Sequence, residues 1–405
     1  MSTSLADGEA RTAHPAVFAL LNVPFGAMSG YLGVTIAYLL SQGGVSTEEI
    51  AAVVAIGYVP HTWKFAWAPL VDTTLTRKWW YVVGALLSAV GIAAMGAVPA
   101  DAASLSILAA VVFVANVGNT FVCMGAESLM AYATDEASKG RVGGWYQAGN
   151  LGGYGVGGGA ALWLAQDLPE AWMAGACLAL ACMLCCVPLV FIPEFRRERH
   201  VAGIGKNLLE VGRDLWAVAR SRRGFLGLLI CFLPLGTGAA SNLWAAVADD
   251  WHATVHTVEL ATGVANGVVS AIGCVIGGYL CDRMDRKTSY ALYGLVQAVC
   301  AVAMALAPRT EMMYIVFTLT YALITGLTYA GFSAVVLEAI GRGAAATKYN
   351  VFASLSNIPI AYMTVVDGWA RTRWNEGAML YVEAVIGIAA LLVFVAVATT
   401  TRRRR

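Results

Sequence analysis

The segment Gly278-Tyr279-Leu280-Cys281-Asp282-Arg283-Met284-Asp285-Arg286-Lys287 packs five charges into ten residues, between apolar runs near 256–280 and 288–307. Each flanking run has the roughly 20 residues that carry a helix across about 30 Å of hydrocarbon. A short charged turn between two such runs is where a chain leaves one membrane crossing and enters the next. Outward from this turn the pattern continues. Further apolar stretches lie near 16–40, 48–70, 79–99, 103–133, 142–165, 170–193, 223–248, 311–339, 346–367 and 377–399, which makes twelve. None alternates with period two, so a β-barrel is excluded. Composition agrees: 59% of the 405 residues are apolar and 13% are charged, about half the usual share of roughly 25%. Mean hydropathy is +0.68. A water-soluble enzyme is excluded on those grounds, and a net charge of +1 leaves no signal for nucleic acid.

The charged turn has an earlier copy. Leu70-Val71-Asp72 followed by Arg77-Lys78 precedes Leu280-Cys281-Asp282 and Arg286-Lys287 by 210 residues. Pro24-Phe25-Gly26 and Pro234-Leu235-Gly236 are also 210 apart, and Asn150 and Asn357 are 207 apart. Three anchors at nearly one offset predict two parallel six-span halves related by an axis along the membrane normal. Of the 26 lysines and arginines, 22 fall in segments on the side of the two termini and three on the other, with Lys64 inside a span. That asymmetry places both termini in the cytoplasm. The expected organisation is a cytoplasmic tail over 1–15, a six-helix bundle over 16–193, a linker over 194–222 with an amphipathic helix, a second bundle over 223–399 and a basic tail over 400–405. The first span is read as its own insertion signal, with no cleaved leader. The expected fold is therefore an all-α membrane protein of twelve transmembrane helices in two pseudo-symmetric six-helix bundles.

The turn at 278–287 resembles the G-x-L-x-D-R-x-x-R-K loop of the major facilitator superfamily. Its earlier copy keeps Asp72, Arg77 and Lys78 but has Ala68 in place of the leading glycine. A narrower resemblance covers about the first 80 residues. Pro60-His61-Thr62-Trp63-Lys64-Phe65-Ala66-Trp67-Ala68-Pro69-Leu70-Val71-Asp72 is similar to the P-x-x-x-K-F-x-W-[AS]-P-L-x-D segment of the AmpG muropeptide permease and acetyl-CoA transporter family. The resemblance implies alternating access and proton-driven import of a polar cargo, a cell-wall sugar-peptide or an acyl-CoA. It implies a bacterial inner membrane, with the proton gradient rather than a cofactor as energy source. The chain departs from that family in span four, where Gly118-Asn119-Thr120-Phe121-Val122-Cys123 stands in place of its paired aspartates. The charged turns read as latches, in which Asp72, Arg77, Asp135, Asp282, Arg283, Arg286, Glu338 and Arg342 pair in one state and separate in the other.

Charges at depth cost roughly 2.5–3.5 kcal/mol each on insertion scales, so they pair or face water. Lys64 lies eight residues before Asp72 and Glu127 eight before Asp135. Both are therefore about 12 Å inside the same boundary. Equal depth and opposite charge predict a Lys64–Glu127 pair, with Glu127 as the proton acceptor. A static pair fixing helix register is the alternative. Neutral polar residues are candidate cargo contacts: Asn22, Tyr31, Asn116, Asn119, Gln147, Asn150, Asn242 and Asn357. Each of them could instead bond one helix to another.

Three further motifs carry no chemistry. Gly153-Tyr154-Gly155-Val156-Gly157-Gly158 matches a dinucleotide fingerprint but lies within an apolar helix with no preceding strand. Cys182, Cys185 and Cys186 have no histidine or acid near them in sequence, so a metal site is not expected. No phosphate-binding G-x-x-x-x-G-K-[ST] occurs, which excludes an ATP-driven pump. The expected partners are a small-molecule substrate and the lipid bilayer, with no protein partner indicated. Drug or metabolite efflux on the same scaffold is the alternative function, and a non-transporting sensor a weaker one.

Overall fold

The structure, a computed structural model, describes residues 13–193, 204–341, 344–375 and 377–403. Among these residues there are helices and turns and no strand. Every apolar stretch of the sequence except span seven is helical over most of its length. Eight helices are long and apolar enough to cross a membrane. The other four stretches, spans two, five, seven and eleven, are broken or diluted for identifiable reasons.

Span two runs as a helix over Thr47–Trp63, tightens at Lys64–Ala66 and resumes over Ala68–Thr73. Pro60 and Pro69 remove two backbone donors there, which permits the break. Span five is Lys139–Gly155, then a wide π turn over Val156–Ala160, then Ala161–Asp167. Its glycines lower its hydropathy. Span eleven is one helix over Ala345–Arg373, and its buried Thr347, Lys348, Asn350 and Asp367 make it polar. Span seven stops as a helix at Phe232. Pro234 cannot continue the ladder. Gly236 and Gly238 adopt φ of 64° and 67°, the left-handed region that glycine enters without strain. The chain then continues as tight turns over Ala239–Leu243 and Ala245–Trp251. Gln297 of span nine holds this unwound stretch. In the amide orientation that satisfies both ends, its nitrogen donates to the Gly236 carbonyl and its oxygen accepts from the Gly238 amide, at 3.3 Å each.

The outer surface is apolar. Leu86, Val90, Val114, Leu180, Val299, Val385 and Leu392 are all more than half exposed, as a lipid-facing belt requires. Polar side chains are turned inward. The apolar packing differs between the two ends of the molecule. At the end that carries the charged turns, one cluster draws on both halves and includes Phe18, Tyr81, Tyr146, Ile230, Val335, Tyr349 and Phe352. Away from that end each half has its own cluster, one built on Tyr31, Ile92 and Val112, the other on Trp244, Trp251 and Tyr321. The apolar clusters are therefore shared at the charged end and separate beyond it, while spans five and eight stay in backbone contact further along. The helix Ile204–Arg220 connects them; along it Trp216 is exposed, with Arg220 over its ring at 4.7 Å.

Candidate functional site

The joined end is closed by two latches that mirror each other. Asp282, at the end of span eight, accepts from the amides of Gly140 and Arg141 at 2.7 and 3.1 Å and from Arg141 Nε at 2.7 Å. Asp72, at the end of span two, accepts from the amides of Ala346 and Thr347 at 3.2 and 2.8 Å and from the Thr347 hydroxyl at 2.7 Å. Each aspartate thus caps the first turn of a helix in the opposite half, where free amides and the helix dipole favour a negative charge. The Arg77 charge acts on the same carboxylate. Arg77 also lies 3.6 Å from the centre of the Tyr132 ring.

The remaining latch residues divide. Arg286 pairs with Glu136 at 2.6 Å and reaches Glu338 at 3.5 Å, and Lys287 pairs with Glu338 at 2.5 Å. Glu136 is the cross-half partner, not its neighbour Asp135. The Asp135 carboxylate instead accepts from the amide and hydroxyl of Ser138 and caps the next turn. Asp285 caps span nine through Thr288 at 2.9 Å. Burial works against that carboxylate, yet the Thr288 bonds hold it below the usual range. Arg283 is exposed. Arg342 lies outside the described residues.

Inside the closed end is a network of buried polar groups. Glu127, 2% exposed, accepts from Tyr146 at 3.2 Å and from Asn350 at 2.8 Å. Tyr146 belongs to its own half and Asn350 to span eleven of the other. From the adjacent residues of the same two helices, Gln147 donates to Ser333 at 2.8 Å and Ser333 bonds Tyr349 at 2.8 Å, and Asn150 donates to Gln147 at 3.1 Å. Lys64 is buried beside this network, with Nζ 3.8 Å from Cys123 Sγ, one turn before Glu127. The two charges form no direct ion pair among the described residues. The tight turn at 64–66 carries the ammonium to the preceding turn of span four, a displacement that counting residues from a common boundary could not reveal.

Of the other polar candidates, Asn22, Asn116, Asn119 and Asn242 are engaged within their own half. Asn22 donates to the Tyr146 carbonyl at 2.9 Å and Asn119 to the Phe25 carbonyl at 3.2 Å. Asn116 donates to Val112 at 2.9 Å and meets His61 at 3.1 Å. The Tyr31 hydroxyl is buried between Gly96 and Gly175, where an added Cβ would come within 2.8 and 2.7 Å of it. Tyr31 therefore points into the first bundle. Asn242 donates to Thr364 at 2.9 Å, and Asn357 is exposed. Asn350, Tyr349, Ser333, Thr347 and Glu136 escaped the sequence reading. Only the adjacency of Glu136 to Asp135 offered a signal.

Two bundles of membrane helices joined by paired turns, with buried polar residues between them, define a multi-pass transport scaffold. The chain belongs to the major facilitator superfamily, whose model matches residues 18–364. Solved structures agree on the fold. The E. coli fucose:proton symporter aligns with a TM-score of 0.69 at 16% identity, over 95% of this chain and 98% of that one. The proton:xylose symporter gives 0.65 at 14% identity, over 93% and 94%. The human organic anion transporter gives 0.68 at 15% identity, over 96% and 100%. No curated protein sequence matches the chain. The protein is a multi-pass integral membrane protein with the fold of a transporter, a family that binds small-molecule substrates within the membrane.

Proposed function

We propose that this protein is a proton-coupled secondary transporter that imports a polar solute by alternating access, with Glu127 as the proton acceptor. The supporting observation is the position of the Glu127 carboxylate, which joins the two halves through Asn350 at 2.8 Å. An ionised carboxylate accepts strong hydrogen bonds from both Asn350 and Tyr146. A proton on Glu127 removes the charge and weakens the bond across the halves, so protonation loosens the closed end. Lys64, one turn away, favours the ionised form while the end is shut. Asp72, Arg77, Asp282, Arg286, Glu136 and Glu338 form the gate that this event releases, and the charged end is the cytoplasmic one. Proton coupling is also in keeping with the fucose and xylose symporters among the structural relatives. The span-two segment that is similar to the AmpG family favours a sugar-peptide or acyl-CoA cargo. Efflux of an organic anion is a second reading, favoured by the equally close likeness to the organic anion transporter.

The test is uptake into right-side-out and inverted membrane vesicles under an imposed pH gradient, with labelled anhydro-muropeptide, acetyl-CoA and a neutral sugar. Import driven by protons and lost in Glu127→Gln is the expected result. Full proton-driven uptake by a folded Glu127→Gln protein would overturn the role of Glu127. Accumulation in the reverse direction would select the efflux reading.

A further inference from the structure

A second pair of acids lies in the other half, away from the charged end. Asp367 of span eleven is fully buried, and neither of its carboxylate oxygens has a hydrogen-bond partner. Glu383 of span twelve is 7% exposed; one oxygen accepts from the Tyr321 hydroxyl at 2.6 Å and the other has no partner. The two carboxylates act on each other electrostatically, and both act on Tyr321. The remaining ionisable group facing Glu383 is the Cys300 thiol of span nine. No cationic side chain meets the pair among the described residues. Arg371, one turn beyond Asp367, is drawn away into a bidentate pair with Asp250 at 2.8 Å.

Glu383 also lines a small pocket together with Pro234, Gly236, Thr237 and Gln297. That pocket is the gap left where span seven unwinds. The Thr237 hydroxyl and the Ala239 and Ala240 amides face the same carboxylate, outside the geometry that would satisfy its second oxygen. Three carboxylate oxygens are thus left without a hydrogen bond in good geometry, in a buried region bordered by irregular backbone. Buried acids in such a place mark a cation path, and unwound backbone is tolerated within a membrane where it lines a cavity or an ion site.

We propose that Asp367 and Glu383 form a binding centre for a monovalent cation, taken up either as a proton shared by the two carboxyls or as an alkali-metal ion held by the same oxygens. The donor set is all oxygen, which suits both. The centre is separate from Glu127. Asp367 lies 17 residues after Asn350 on the same helix, about 25 Å along its axis. Span eleven therefore carries one acid contact at each end. Filling the outer centre cancels the repulsion between spans eleven and twelve.

The experiment is infrared difference spectroscopy of the full chain in liposomes, titrated with acid and, separately, with sodium against a bulky organic cation at fixed pH. A proton centre gives a protonated-carboxyl band that is lost in Asp367→Asn and in Glu383→Gln and kept in Glu127→Gln. An alkali-ion centre gives a saturable sodium-induced carboxylate change with the same pattern of loss. Proton and sodium responses identical in the wild type and both variants would overturn the proposal. Loss of a band only in Glu127→Gln would likewise overturn it, leaving the proton role of Glu127 intact. Should either variant fail to fold, Tyr321→Phe keeps both acids and must displace the midpoint of that response by about one pH unit; an unmoved midpoint would overturn the centre.

Discussion

Span five crosses span eight, and span two approaches span eleven; the two crossings are related by the pseudo-symmetry, yet they are built differently. At the first, an added Cβ on Gly140 would lie 2.6 Å from both Asp282 Oδ1 and the Gly278 carbonyl. One on Gly144 would lie 2.5 Å from the Cys274 carbonyl, and one on Gly267 3.0 Å from Gly155 Cα. Backbones touch from the charged end to well past the middle, as small residues permit in membrane helices. At the second, Ala68 replaces the leading glycine. Contact is confined to the charged end, where Ala68, Val71, Cys123, Met124 and Ala346 form one small cluster. Further along, Tyr58, Val59, Ile358 and Tyr362 are exposed. The latch also differs, for Asp282 holds a guanidinium besides two amides while Asp72 holds two amides and a hydroxyl. One crossing is a continuous seam, and the other is a clasp at one end only.

The largest effect is expected where the seam is wedged. A side chain at Gly278 must displace the Gly140 carbonyl and Gly144, 2.6 and 2.9 Å from its Cβ. Gly278→Leu should keep the charged end open and lower transport by roughly 100-fold or more, since overpacking of this kind costs about 1–3 kcal/mol even where neighbours can move. Cys281, 1% exposed beside the latch, is a built-in reporter: its alkylation from the charged end, read by mass spectrometry, should rise together with the loss. Unchanged alkylation and transport would mean that the seam does not close the protein.

Asp282→Asn comes next. Bonds to a charged partner are worth about 1.5–3 kcal/mol, so losing the Arg141 pair should raise Cys281 alkylation roughly 30-fold. Asp72→Asn should act on the clasp alone, raising alkylation of Cys123 by roughly 10-fold and leaving Cys281 nearly unchanged. Equal responses of both cysteines to either substitution would erase the distinction between seam and clasp. Glu136→Gln should have the smallest effect. Glu136 is 66% exposed opposite Arg286, so its pair is screened, and about a twofold change that vanishes at high salt is expected.

Much of this plan is legible in the residues. Hydropathy marks the crossings, because a helix in lipid needs an unbroken apolar length. The 210-residue offset marks the two turns that the structure brings against opposite halves. Glu127 stands out because a charge at depth demands a reason. Its partners do not stand out: Asn350 lies 223 residues away, and nothing local marks it among the other asparagines. Lys64 reads as level with Glu127 only while span two is taken as a regular helix, and the tight turn at 64–66 removes that assumption. Tyr31 reads as a cavity residue until Gly96 and Gly175 are seen to make room for its hydroxyl inside one bundle.

Spans one and seven show where the boundary lies. Both contain Pro-x-Gly at equivalent positions, and the sequence alone predicts the same shape for both. Span one keeps its helix through Pro24, with Gly26 packed directly on the backbone of span five at Asn150. Span seven lets go at Pro234, and Gln297 from span nine takes over the freed backbone groups. The sequence by itself determined that the chain crosses a membrane, that it does so as two related halves, and where its charged turns fall; length, hydropathy and spacing are local properties. Which aspartate grips which helix, which crossing is a seam, and that Asp367 and Glu383 are both buried with carboxylate oxygens lacking hydrogen-bond partners were decided only by the tertiary structure, because each depends on how residues distant in sequence pack together.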